Sequence, residues 1–198
     1  MEDNKLVQKK HIITIAGRPG SGKSTASKGI AEELGYQHFS SGDLFRAIGK
    51  ERGIDVTQTN VAAEKDVDID YLVDQRLRDI GSNEDQIVID SRMAWHWMPY
   101  SFRVYLDLNL EVAATRILAN MTKERMESEH IPSNSHEYAA ALQHRLDLEA
   151  RRYKSLYDVN PYDHSNYDLV VDTNAHGPQE VLEEILAAYK EWLKVNNI

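Results

Sequence analysis

Gly17, Gly22, Lys23 and Ser24 occupy the fixed positions of G-x-x-x-x-G-K-[ST] within the run Gly17-Arg18-Pro19-Gly20-Ser21-Gly22-Lys23-Ser24-Thr25. That pattern holds phosphates. Glycines let the chain turn so that successive backbone N–H groups face inward around an anion. A helix beginning near Lys23 adds the positive end of its dipole. Lys23 reaches the β- and γ-phosphates of a nucleoside triphosphate, and the Ser24 hydroxyl is placed to coordinate Mg²⁺. The expected ATP-binding residues are therefore Gly17, Gly20, Ser21, Gly22, Lys23, Ser24 and Thr25. The short apolar run Ile87-Val88-Ile89 ends in Asp90, a second candidate Mg²⁺ ligand acting through water. Asp107 stands in a similar position but ranks below it, because Asn109 marks a helix-capping turn there.

Arginines stand at punctuated positions elsewhere. Arg46 closes Ser41-Gly42-Asp43-Leu44-Phe45-Arg46, and Arg92 closes Asp90-Ser91-Arg92. Arg145, Glu149 and Arg152 are spaced i, i+4 and i+7, which puts them on one helix face with the acid able to hold both arginines. Two anions that must approach one another need mobile positive charge to offset their repulsion, and a guanidinium fork suits a phosphate. The spacing thus points to phosphoryl transfer between two phosphate-bearing molecules.

Alternating strand and helix signals position these residues. Strands are expected over His11–Ala16, Tyr36–Phe39, Ile87–Asp90, Phe102–Leu108 and Leu169–Val171. Helices are expected over Lys23–Leu34, Asp43–Arg52, Asp70–Ile80 (closed by Gly81), Leu110–Ala119, Ser135–Leu156 and onward from Gly177-Pro178. Such alternation implies a parallel sheet covered on both faces, whose strands share one crevice at their carboxyl ends. The acidic run Glu64–Asp74 reads as a solvated helix face. Tyr153 and Tyr157 read as core, and His96 between Trp95 and Trp97 as aromatic packing.

Composition narrows the class. The 198 residues carry a net charge of −9, with 41% hydrophobic and 28% charged residues. An acidic chain has no general attraction for nucleic acid or anionic membrane. No cysteine is present, which excludes disulfides and thiolate chemistry. No stretch approaches the roughly 20 apolar residues of a spanning helix, and the polar N-terminus is unlike a signal peptide. The histidines lack zinc-ligand spacing. A cytoplasmic location, small-molecule nucleotide partners and a monomer or weak dimer are the expectations.

These motifs together resemble the short, archaeal-type branch of the cytidylate kinases, within the nucleoside monophosphate kinases. The resemblance is carried in order by Gly17–Thr25, Ser40–Arg46, Asp90–Arg92, Arg145–Tyr153 and Tyr167–Thr173, across about residues 11–193. It implies a P-loop NTPase fold, α/β in class: three α/β/α layers around a five-stranded parallel sheet. One domain would span residues 1–198, with a small acceptor-binding helical region at about 42–82 and a helical lid at about 120–155. The resemblance further implies that Arg46 and Arg92 hold the acceptor's monophosphate and that Asp43 and Arg76 shape its site. Lys23, Arg145 and Arg152 would be catalytic, Ser24 and Asp90 would hold Mg²⁺, and Asn174 and Ala175 would lie near the adenine of ATP. Met93 stands where the longer bacterial enzymes carry a base-reading acid. The implied activity is transfer from ATP to CMP or dCMP. The alternatives are a different acceptor (AMP, UMP or a non-nucleotide alcohol) or a nucleotide-binding regulatory protein.

Overall fold

The computed structural model of the chain describes residues 10–53, 68–122, 126 and 131–198. Five parallel strands form its centre: β1 (Ile12–Gly17), β2 (Gln37–Ser40), β3 (Ile87–Asp90), β4 (Phe102–Asp107) and β5 (Leu169–Asp172), in the order β2-β3-β1-β4-β5. Strand β1 lies between β3 and β4, with Ile13 in register with both Val88 and Phe102. Its β-branched residues are buried on both faces, as a central parallel strand requires. Ile13 and Ile15 face helices α1 (Lys23–Leu34) and α7 (Pro178–Asn196), which supply Ile30, Val181, Ile185 and Tyr189 to that layer. Ile12 faces the opposite layer, where α3 (Asp68–Asn83) and the single-turn α4 (Ala94–Trp97) supply Leu77, Ile80, Ala94 and Met98. Helices α5 (Leu110–Ala119) and α6 (Ser135–Tyr157) pack on one another through Ala113, Ala114, Ala139 and Leu142.

The expected elements form with small shifts. Helix α2 (Ser41–Glu51) starts two residues early because the Ser40 hydroxyl accepts the Asp43 N–H and caps it. Asn109 and Asn134 cap α5 and α6 through their side-chain oxygens. Gly81 does not end its helix, which continues to Asn83. A Cβ at Gly81 would meet Met98 Cγ and the Tyr100 hydroxyl at 2.8 Å. The glycine serves close packing there, and Tyr100 donates to its carbonyl at 2.7 Å. Helix α4 has no counterpart in the sequence reading. Of the expected acceptor-binding and lid stretches, residues 54–67, 123–125 and 127–130 lie outside the described residues.

Candidate nucleotide site

The phosphate loop joins β1 to α1 and rests on β4. Gly17 has φ +147°, and a Cβ there would stand 2.3 Å from the Leu106 carbonyl oxygen, so only glycine fits. Gly22 is the N-cap of α1 and supplies no side-chain cap, which leaves the first-turn N–H groups for an anion. The Lys23 ammonium is enclosed by the loop and donates to the Arg18 carbonyl at 2.8 Å. Burial, with Arg92 nearby, lowers its pKa from 10.5 to about 8. Ser24 Oγ donates to Asp90 Oδ2 at 2.6 Å, joining the start of α1 to the end of β3. Asp107 is engaged otherwise: its carboxylate lies 3.2 Å from Arg18 Nε and accepts the Leu108 N–H.

Next to Lys23 and Ser24 opens a cavity of about 240 Å³, into which α2, α3, the β3 exit and α6 all project. Arg46, Arg92, Arg145 and Arg152 line it; Asp43 and Arg76 do not. Arg92 and Arg145 converge on one buried carboxylate, Glu149, at 2.9 and 3.0 Å. The Tyr162 hydroxyl donates to the same carboxylate at 2.5 Å. Burial alone would raise the Glu149 carboxyl, but Arg92, Arg145 and Tyr162 outweigh it and hold the pKa at about 2. Glu149 therefore holds Arg145 as the i, i+4 spacing predicts, yet its second arginine is Arg92 of the β3 exit. Arg152 instead pairs with Asp70 on α3, Nε to Oδ2 at 3.2 Å. Arg46 and Asp43, a turn apart on exposed α2, pair with each other. Arg76 is exposed, with its guanidinium 5.9 Å above the Phe39 ring.

A second cavity, about 620 Å³, lies on the other side of the loop. Gly22, Thr25, Arg116, Ile117, His176 and Pro178 are among its walls. Asn174, expected near the adenine, is not among them; its side chain accepts the Asn109 N–H, and its carbonyl accepts from Arg116 Nη2 at 3.1 Å. Arg116 also donates to the Thr173 carbonyl at 2.9 Å, which aligns its flat guanidinium along this wall. No motif marks Arg116 in the sequence. The only signal for it is its place on the helix after β4, whose end adjoins the loop.

The Ser24 hydroxyl and the Asp90 carboxylate suit a hard divalent ion. Among the described residues no group of three or more His, Cys, Asp or Glu could hold a metal. Mg²⁺ fits such a sparse site, since it keeps several waters and binds through one or two protein ligands plus substrate phosphates.

The acidic run of α3 departs from its expected solvation: Asp70 and Asp74 are buried at 7% and 5% exposure. Tyr153 also lines the 240 Å³ cavity. His96 packs against Trp95, Trp97 and Tyr157, as the aromatic reading holds.

Sheet order, glycine loop and cation-lined crevice together define a P-loop NTPase fold of the small kinase type. A shikimate kinase from Acinetobacter baumannii has this architecture, with a TM-score of 0.58 over 94% of this chain and 97% of that one at 16% identity. The family model described as AAA domain matches residues 16–133. A cytidylate kinase of Haloarcula marismortui is 39% identical over 184 residues, covering 91% of this chain and 90% of the relative. Another, of Natronomonas pharaonis, is 39% identical with 90% of each covered. The chain belongs to the cytidylate kinase family.

Proposed function

We propose that this protein moves the γ-phosphoryl group of ATP onto CMP or dCMP, giving the diphosphate and ADP. The observation that carries this is the 240 Å³ cavity, where the loop lysine meets arginines drawn from α2, the β3 exit and α6. A hydrolase needs room for water there; this crevice has the size and charge for a second phosphate-bearing molecule. The curated relatives' name, cytidylate kinase, supplies the acceptor.

The 620 Å³ cavity takes the adenosine of ATP, with Arg116 along the base and the triphosphate passing through the loop to Lys23. Arg92 and Arg46 hold the acceptor's monophosphate, and Asp43 steadies Arg46. Arg145 and Arg152, on the helix that would serve as a lid over both substrates, supply positive charge to the phosphoryl group in transit. Ser24 and Asp90 would hold Mg²⁺, which when bound neutralises charge on the β- and γ-phosphates. Glu149 keeps Arg92 and Arg145 in place until phosphate oxygens replace its own as their partners.

A coupled ADP-release assay with CMP, dCMP, UMP, AMP and shikimate tests the reading. CMP and dCMP should be the accelerating acceptors. Acceleration by AMP or shikimate alone, or by none of the panel, would overturn it.

A further inference from the structure

Three side chains meet at one buried carboxylate beside the 240 Å³ cavity, and they hold it unequally. Glu149 Oε1 accepts a directed hydrogen bond from Arg145 Nε at 3.0 Å. Glu149 Oε2 accepts one from the Tyr162 hydroxyl at 2.5 Å. Arg92 Nε stands 2.9 Å from the same Oε2, yet it is a buried donor with no hydrogen-bond partner. The link from Arg92 to Glu149 is therefore one of charge without direction. Hydrogen bonds to an ionised group are strong only when aligned, so Arg92 is the partner that Glu149 holds least firmly.

Tyr162 is fixed from the other side. It lies on the connection between α6 and β5, where its N–H donates to Asn160 Oδ1 at 3.1 Å. The Tyr167 hydroxyl donates to the neighbouring Pro161 carbonyl at 2.6 Å. The Tyr162 ring packs on the cluster of Ala16, Trp95, Tyr105 and Tyr167. Trp95 in turn donates to the Arg92 carbonyl at 2.8 Å. One aromatic cluster thus fixes both the Tyr162 hydroxyl and the Arg92 backbone. The Arg92 side chain lines the cavity and is 26% exposed, whereas Tyr162 is not on the cavity wall. Tyr162 reaches an acceptor only through Glu149 and Arg92.

We propose that Tyr162 is a positioning residue that keeps Arg92 exchangeable. Its hydroxyl occupies Glu149 Oε2, which limits the grip of the carboxylate on Arg92. It also stays as that oxygen's partner when Arg92 turns to an incoming phosphate. This rests on the reading of Arg92 as a holder of the acceptor's monophosphate. A buried carboxylate stripped of a partner is costly, and a donor that stays in place lowers that cost. Without the hydroxyl, Arg92 is the sole partner of Oε2 and closes onto it as a directed ion pair. A phosphate must then break that pair to bind. The hydroxyl weakens an internal contact and so strengthens an external one.

The test is Tyr162→Phe, which removes one oxygen and keeps the ring in its cluster. Kinetics with CMP and ATP varied in turn should show the KM for CMP raised at least about tenfold, the worth of one hydrogen bond to a charged group. The KM for ATP, and kcat at saturating CMP, should stay within about twofold of the parent. Thermal unfolding reads the same split without turnover: CMP should stabilise the variant less than the parent, and ATP should stabilise both alike. A parent-like KM for CMP, or losses shared by kcat and the KM for ATP, would overturn the proposal. A Tyr162→Phe chain that fails to fold would also overturn it, since the hydroxyl would then serve the fold rather than the exchange. If neither CMP nor dCMP accelerates the parent, the functional reading falls and takes this one with it. If they do and the split is absent, only the role of Tyr162 falls.

Discussion

Lys23 illustrates how a single side chain sets a measurable pH limit. Enclosed by the loop and near Arg92, its ammonium has a pKa of about 8 in the ligand-free protein. Below that pH it is charged and ready for phosphate. Above it the free protein carries a neutral amine, and ATP binding must take up a proton. ATP affinity should therefore weaken as pH rises through about 8, by up to about tenfold per unit. Calorimetric titrations in buffers from about pH 7 to about pH 9 check this, since Lys23→Arg stays charged and should flatten the curve. Lys23→Ala should lower kcat by about 10²–10³-fold, the usual loss when one charge-stabilising group is removed. The donor residues were legible in sequence because their spacing is local, within Gly17–Thr25. Asp70 was not. Its charged neighbours read as a solvated face, and what buries it, Arg152 above all, lies far along the chain.

Among the elements, α6 matters most because it carries Arg145, Glu149 and Arg152 on one face. Its attachment to the β3 exit runs through the buried Glu149–Arg92 pair, so Glu149→Gln should leave a buried guanidinium undercompensated. Breaking such a pair costs about 3 kcal/mol or more, readable as a lower denaturant midpoint. The pH dependence has a defined sign. Glu149 has a folded pKa of about 2 against an ordinary 4.5, so its stabilising contribution is complete above 4.5 and is lost as pH falls toward 2. The variant should show a shallower loss of stability across that window in acid-unfolding curves. The i, i+4, i+7 spacing revealed the face of α6 but not its partners: Arg92 and Asp70 reach it only because the folded chain brings β3 and α3 alongside. Gly81 carries the same lesson. Periodicity makes a glycine look like a stop, whereas contact with Met98 and Tyr100 makes it a packing position inside a longer helix.

At the scale of the molecule, two cavities flank one loop, so donor and acceptor should each stabilise the fold by mass action. ATP at about 100 times its Kd should add about 2.7 kcal/mol. That corresponds to a rise in Tm of about 2–4 °C for each kcal/mol, and thermal unfolding with and without nucleotide measures it. The sheet itself was legible, because four of its strands are short, mostly apolar runs bounded by glycine, proline or polar residues, with polar β2, Gln37-His38-Phe39-Ser40, the exception; strand order was not, since it depends on which edges meet. That order has a consequence during biosynthesis. Strand β1 is made first yet pairs only with β3 and β4, and the floor beneath Gly17 is the Leu106 carbonyl. A nascent chain still short of β4 has unpaired edges on its most apolar strand and no place for a triphosphate. Such non-local pairing is slow and leaves apolar surface open to aggregation. Cellular ATP can therefore begin to help this protein fold at the ribosome only after β4 has emerged.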